Sequence, residues 1–189
     1  PAASFPWTRT GMRVTSRALR FPRPGQVGIV VRDIEKAIKY YQEIFGIGPW
    51  AVFEGEPVSC VERGRHISFR GKMAMARAGT VQLELIQILE GRTIHTEFLS
   101  DRGEGLHHLG FFVRNLDKRV EAAGEAGIEV LHRGTLKQLG LTVEYAYLDT
   151  AHTGGVVMEF IEARFLGLPF PMRSPLTRLG AKAGRLLGR

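Results

Sequence analysis

Two stretches of this chain repeat each other, and that repeat restricts the fold more than any other feature. Gln26-Val27-Gly28-Ile29-Val30-Val31-Arg32-Asp33-Ile34-Glu35-Lys36 matches His108-Leu109-Gly110-Phe111-Phe112-Val113-Arg114-Asn115-Leu116-Asp117-Lys118 at a constant offset of 82. Every position pairs like with like, and both copies hold glycine in third place. A second match sets Val81-Gln82-Leu83-Glu84-Leu85-Ile86-Gln87 against Val156-Val157-Met158-Glu159-Phe160-Ile161-Glu162, with a carboxylate between apolar neighbours in each. A chain built from two such copies stacks equivalent units around a shared core. The duplication places Gln26, Glu84, His108 and Glu159 at matching points.

Those four residues carry the chemistry. A carboxylate in the middle of an apolar strand is costly to bury unless it is paired or bound to a metal. Two carboxylates, an imidazole and an amide oxygen suit a divalent first-row ion that keeps open positions for water or substrate. Strand alternation also permits a plainer reading, in which Gln82, Glu84 and Gln87 face solvent and bind nothing.

The rest of the sequence divides around the copies. Residues 1–25 form a basic N-terminal arm, with Phe5, Trp7 and Phe21 as anchors toward the core. Residues 26–88 form a first module of strand, helix and three strands. Asp33 caps its helix, and Ile34, Ile38, Tyr41 and Phe45 fall on one buried stripe. Gly46 ends that helix. Residues 55–66 read as polar and irregular, with strands near 50–54, 66–70, 72–78 and 81–88. Residues 89–104 form a polar linker with a short helix around 94–99. Residues 105–163 repeat the module: Asn115 caps a helix through Leu116, Val120 and Ala123, and Leu131 to Leu141 reads as hairpin and partly loop. Residues 164–189 form a basic tail in which Leu176, Leu179, Ala183 and Leu186 share one helical face. The fold class is therefore α+β, two tandem βαβββ modules.

Charge is unevenly spread. The termini hold 11 of the 26 Lys and Arg, five in residues 1–25 and six in 164–189, and no acid. The remainder sets 15 bases against 19 acids, so an acidic core carries two basic arms. Such arms favour wrapping a second copy of the chain, as a homodimer. They lack the interleaved aromatics of a nucleic-acid platform, and no apolar run approaches the roughly 18–20 residues of a membrane span. The single cysteine, Cys60, forms no internal disulfide and fits a reducing, cytoplasmic compartment.

The tandem modules, each with a ligand on its first and last strand, resemble the vicinal-oxygen-chelate superfamily, which includes glyoxalases, methylmalonyl-CoA epimerases, extradiol dioxygenases and antibiotic-resistance proteins. The resemblance covers about residues 25–163. It rests on Gly105-Leu106-His107-His108-Leu109-Gly110-Phe111, the closing strand Val156 to Glu162, and Asp33-Ile34-Glu35-Lys36-Ala37 with Tyr40-Tyr41. It looks most like methylmalonyl-CoA epimerase, with a metal quartet also similar to animal glyoxalase I. It implies an eight-stranded cup with a divalent ion (Co, Ni, Mn or Zn) at its base, held by Gln26, Glu84, His108 and Glu159. His107 then points the other way along its strand.

The family's first ligand is usually histidine, and here that position is Gln26. Extradiol dioxygenases need two histidines, so the resemblance favours proton transfer over oxygen activation. It implies an epimerase or isomerase that abstracts a proton next to a carbonyl, on an acyl-CoA thioester or related small molecule. Glu159 is the first choice of base and Glu84 the second. The partner glutamate of the epimerases has no counterpart in Lys72-Met73-Ala74-Met75-Ala76-Arg77. The alternatives are a glyoxalase-type lyase acting on a hemithioacetal, and a metal-free protein that sequesters a small molecule.

Overall fold

Two glycines decide how the two copies meet. In a computed structural model, which describes residues 19–152 and 154–170, β1 (Gln26–Val30) lies antiparallel to β7 (Gly105–Phe112) at the centre of one sheet. In this register Gln26 sits opposite Gly110, and Gly28 sits opposite His108. A Cβ on Gly28 would lie 1.8 Å from the His108 ring, and one on Gly110 would lie 2.8 Å from Gln26 Oε1. The third-place glycine of each copy thus makes room for the first-place side chain of the other.

The outer strands repeat this symmetry. β1 pairs in parallel with β6 (Val81–Glu90), setting Gly28 beside Glu84. β7 pairs in parallel with β10 (Val157–Phe165), setting Gly110 beside Glu159. β2 (Ala51–Gly55) and β5 (Arg70–Ala78) extend the first half, and β8 (Val130–Gln138) and β9 (Leu141–Leu148) the second. These eight strands and the helices α1 (Ile34–Phe45) and α3 (Leu116–Glu125) form the two βαβββ modules of an α+β fold. The strand order is β2-β5-β6-β1-β7-β10-β9-β8, and the sheet curls around its concave face.

The helices pack on the outside, where each module has its own core. Ile34, Val31, Trp50 and Leu85 anchor α1, while Leu116, Ala123, Phe111 and Phe160 anchor α3. The caps fall where the sequence places them: Asp33 accepts from the Lys36 N–H and Asn115 from the Lys118 N–H. A further device repeats. The Ile34 N–H donates to Gln87 Oε1 at 3.0 Å, and the Leu116 N–H to Glu162 Oε2 at 2.8 Å. The last residue of each closing-strand motif therefore receives an orphan donor from a helix N-terminus.

Three expectations are corrected. Phe45 is 57% exposed, because α1 has run past the sheet by its last turn. Residues 59–66 are ordered as the hairpin β3 (Ser59–Glu62) and β4 (Arg65–His66), and β3 pairs with β8 across the module boundary. The open edge of β8 supplies the hydrogen bonds that local sequence lacks. Residues 130–138 form a continuous strand, since Gly134, which reads as a loop residue, leaves room for the Tyr145 hydroxyl (2.3 Å from a Cβ there). The segment between modules carries the expected short helix as α2 (Ile94–Arg102), with its first residues buried. Past β10 only a short pairing strand, β11 (Leu168–Pro169), is described. Phe21 meets Phe111 edge to face and stacks on Phe160. Phe5, Trp7, most of the basic arm and the amphipathic tail segment lie outside the described residues, and with them the arm-exchange dimer.

Gly28→Ala tests the central pairing. The added methyl cannot coexist with the His108 ring, so the metal-free protein is expected to lose about 1–3 kcal/mol in urea unfolding. A smaller loss, with His108 in place, would show that the strands tolerate a wider spacing.

Candidate metal centre

The concave face gathers the buried polar side chains. Gln26 (3% exposed), Glu84 (8%), His108 (0%) and Glu159 (3%) are all sequestered, which excludes the solvent-facing reading of the strand carboxylates. His108 Nε2 lies 3.4 Å from Glu84 Oε2 and 3.2 Å from Glu159 Oε2. Ligand atoms of Glu84, His108 and Glu159 all fall within 4.8 Å of one another. Gln26 donates its amide N–H to Gln82 Oε1 at 2.9 Å, which leaves its own oxygen over Gly110. Gln26, Glu84 and Glu159 line one cavity of about 240 Å³.

Among the described residues, the buried side-chain atoms without a hydrogen-bond partner are Gln26 Oε1, His108 Nε2, Glu159 Oε2 and His95 Nε2. Unpaired buried polar atoms are rare and call for a partner. The first three belong to the duplicated foursome, and oxygen and imidazole donors are those a divalent first-row ion accepts. The residues present therefore fit such an ion.

Burial sets the protonation of the metal-free site. It pushes the Glu159 carboxyl up to about 8; the Glu84 charge adds to this, while His108 and a hydrogen bond from the Tyr147 phenol oppose it. Burial alone would lower His108, but the Glu159 and Glu84 carboxylates outweigh it and raise the imidazole. Burial, then neighbouring imidazoles, holds His95 well below the usual histidine range and His107 at about 3.

His107 does not follow strand alternation. The register slips between Gly28 and Ile29, so His107 sits in a β-bulge with no partner on β1. Both histidines are buried, and their Nδ1 atoms lie 3.1 Å apart. When His108 offers Nε2 as a ligand, its Nδ1–H donates to His107 Nδ1, which fixes the tautomer.

Sequence reasoning missed the polar wall beside this site. Glu159 faces Tyr147, Tyr147 faces His132, and His132 faces Glu62 across successive strands. His132 Nδ1 lies 2.7 Å from Glu62 Oε2, which also accepts the Ile94 N–H of α2. His132 Nε2 lies 3.2 Å from Cys60 Sγ, whose thiol burial pushes up to about 11. The equivalent row of the first module runs Glu84, Met75, Ala51 and is apolar. Tyr145 and Tyr147 alternate on β9, a signal the sequence does hold; His95, in the linker, has none. Lys72 is engaged by Glu35 and Arg77 bonds Gly79 O, so neither faces the cavity.

Comparison with known proteins places this chain in a family. The family model described as glyoxalase/bleomycin resistance protein/dioxygenase superfamily matches residues 25–147. The chain belongs to this superfamily. It is 28% identical over 142 residues to the uncharacterized protein YqjC of Bacillus subtilis (strain 168), covering 75% of this chain and 93% of that protein. It is 27% identical over 143 residues to the mitochondrial methylmalonyl-CoA epimerase of Bos taurus, covering 75% and 74%. Among solved structures, a variant of Streptomyces coelicolor methylmalonyl-CoA epimerase in complex with 2-nitronate-propionyl-CoA superposes with a TM-score of 0.57 at 18% identity, covering 80% of this chain and 100% of that one. That likeness is one of fold. Among the described residues no helix is long and apolar enough to cross a membrane.

Metal uptake is expected to release between one and two protons per ion at pH 7, because the ion displaces the proton that Glu159 holds below about 8 and the proton of His108, whose imidazole the carboxylates raise. Affinity should rise with pH up to that value and level off above it. Calorimetry with cobalt in two buffers of different ionisation enthalpy measures the proton count. His108→Ala and Glu159→Ala should each weaken cobalt by more than about 100-fold; retention of stoichiometric metal by either variant would remove that residue from the ligand set.

Proposed function

We propose that this protein is a divalent-metal-dependent epimerase or isomerase that moves a proton at the carbon next to a carbonyl, with an acyl-CoA thioester such as methylmalonyl-CoA as substrate class. The observation that carries this reading is that Gln26 Oε1, His108 Nε2 and Glu159 Oε2 are buried without hydrogen-bond partners, with Gln26 and Glu159 lining one cavity and His108 Nε2 3.2 Å from Glu159. The names of the related epimerases support the substrate class.

Gln26, Glu84, His108 and Glu159 would hold the ion, which would act as a Lewis acid on the substrate carbonyl and so acidify the neighbouring C–H. The chain supplies the rest. Glu159 is the first choice of base and Glu84 the second; either would act as a carboxylate that loosens its bond to the ion to take the proton. Tyr147 lies directly across from Glu159 on the neighbouring strand. Phe53, Met73, Met75, Ile86 and Ile88 give the first-module wall an apolar surface that orients an acyl chain and excludes water. Tyr145, Tyr147 and His95 give the other wall its hydrogen-bonding groups. The two walls thus present a substrate with distinct sides.

In deuterium oxide the metal-loaded protein is expected to place deuterium at the α-carbon of methylmalonyl-CoA, followed by mass spectrometry. Glu159→Gln should slow this by about 100- to 10,000-fold, with metal content measured alongside. Absence of exchange with any thioester, together with tight stoichiometric binding, would favour a binding protein. Thioester formation from a hemithioacetal would favour a glyoxalase-type lyase.

A further inference from the structure

The metal quartet accounts for three of the four buried side-chain atoms that lack a partner among the described residues, and His95 Nε2 is left over. Two more buried imidazoles stand beside it. The His95 and His107 ring centroids lie 4.7 Å apart, His107 Nδ1 lies 3.1 Å from His108 Nδ1, and one nitrogen from each of the three rings falls within 4.8 Å of the others. All three residues are at most 3% exposed. A buried polar atom without a partner calls for one, and three clustered imidazoles are a donor set that zinc and copper accept.

We propose that His95, His107 and His108 form a second metal site, all nitrogen, that takes copper(II) first and zinc second. The site is independent of the epimerase reading. The fold builds it from two elements. His95 lies in the first turn of α2, where its N–H donates to the fully buried Thr93 Oγ1 at 3.2 Å, and Thr93 and Thr96 close the cap on each other. His95 Nδ1 faces the same Thr93 oxygen at 3.4 Å, which leaves Nε2 as the ligand. The bulge of β7 against Gly28 and Ile29 keeps His107 beside His108. Tyr147 meets the His95, His107 and His108 rings edge to face at 5.2, 5.8 and 5.1 Å, and Phe98 meets His107 at 5.1 Å, so an aromatic shell holds the cluster. Tetrahedral metal–nitrogen bonds of about 2.0–2.1 Å set nitrogens roughly 3.3 Å apart. The His107 and His108 pair is already that close, and rotation of the His95 ring closes the remainder. His95 also lines the cavity, which gives an ion its way in.

The donor set decides the ion. The cluster is all imidazole, whereas Glu84 and Glu159 face His108 through its other nitrogen, Nε2. Imidazole suits copper and zinc, copper(II) heads the affinity order of the divalent first-row ions, and carboxylate-rich sites suit manganese. His108 is common to both sites. A neutral imidazole offers one bare nitrogen. His108 therefore serves the quartet through Nε2, with Nδ1–H toward His107, or the triad through Nδ1, with Nε2–H toward the two carboxylates. The two ions compete, and an ion in the triad takes the imidazole from the quartet.

Copper(II) itself is the probe. The metal-free protein is given a sub-stoichiometric amount against glycine as competing chelator, and electron paramagnetic resonance reads the nitrogen splitting. The wild type should show three bound imidazoles. His95→Gln and His107→Gln should each weaken copper by more than about 100-fold, and copper that remains should show fewer nitrogens. Glu159→Gln, which removes a ligand of the quartet, should keep the three-imidazole spectrum at close to wild-type affinity. Cobalt bound beforehand should weaken copper uptake by the wild type. Circular dichroism checks that each variant folds, and the wild-type spectrum tests the site even where a variant does not. A wild-type spectrum with one imidazole, or copper lost from Glu159→Gln and kept by His95→Gln, would put the ion in the quartet and overturn the proposal. Copper uptake that cobalt leaves unchanged would overturn the shared His108. No uptake against glycine would reduce the three rings to packing.

Discussion

The antiparallel pairing of β1 with β7 is the contact on which the rest depends. It joins the two halves, and its register sets each ligand-bearing residue against the glycine of the other copy. Close approach follows, because a backbone without a Cβ lets the facing side chain lie across it. The imidazole of His108 occupies the space over Gly28, and the Gln26 amide the space over Gly110. The parallel pairings outward then deliver Glu84 and Glu159 beside those same glycines. One backbone register therefore fixes four side chains, and the cavity floor follows from it.

Duplication supplies symmetry, and divergence supplies chemistry. The ligand positions and the helix-capping residues Gln87 and Glu162 repeat across the halves. The walls do not. Where the second half sets Tyr147, His132 and Glu62 in a row from Glu159, the first sets Met75 and Ala51 from Glu84. A symmetric floor under asymmetric walls offers a bound molecule two chemically different sides. Burial adds the electrostatics: with two carboxylates and an imidazole in one dry space, a proton or a metal ion must be shared among them.

Much of the fold was legible because its signals are local and repeated. The Asp33 and Asn115 caps, the stripes through Ile34 and Leu116, and the polar residue mid-strand in 81–87 and 156–162 are patterns of spacing and residue type. The misread parts share one feature: their state is set by a distant neighbour. The stretch from Leu131 to Leu141 reads as hairpin and partly loop until Tyr145 crosses Gly134 within a continuous strand. The hairpin 59–66 has no periodicity of its own and exists because β8 offers an edge. Alternation sends His107 away from the site, and a one-residue bulge keeps it beside His108.

By itself, the sequence determined the duplication, the α+β class and the foursome Gln26, Glu84, His108 and Glu159 as candidates, because a repeat marks equivalent positions without reference to space. Only the tertiary structure decided that these four are buried, that Gln26, Glu84 and Glu159 line one cavity and that His108 sits against both carboxylates, since alternation alone leaves either face of a strand open to solvent. It also brought in His95, Glu62 and His132. The first two come from the non-repeating segments 89–104 and 55–66, and His132 from a stretch of β8 with no marked counterpart in the first copy. Capping bonds and strand-edge pairing place them, and those are interactions between residues that no sequence spacing connects.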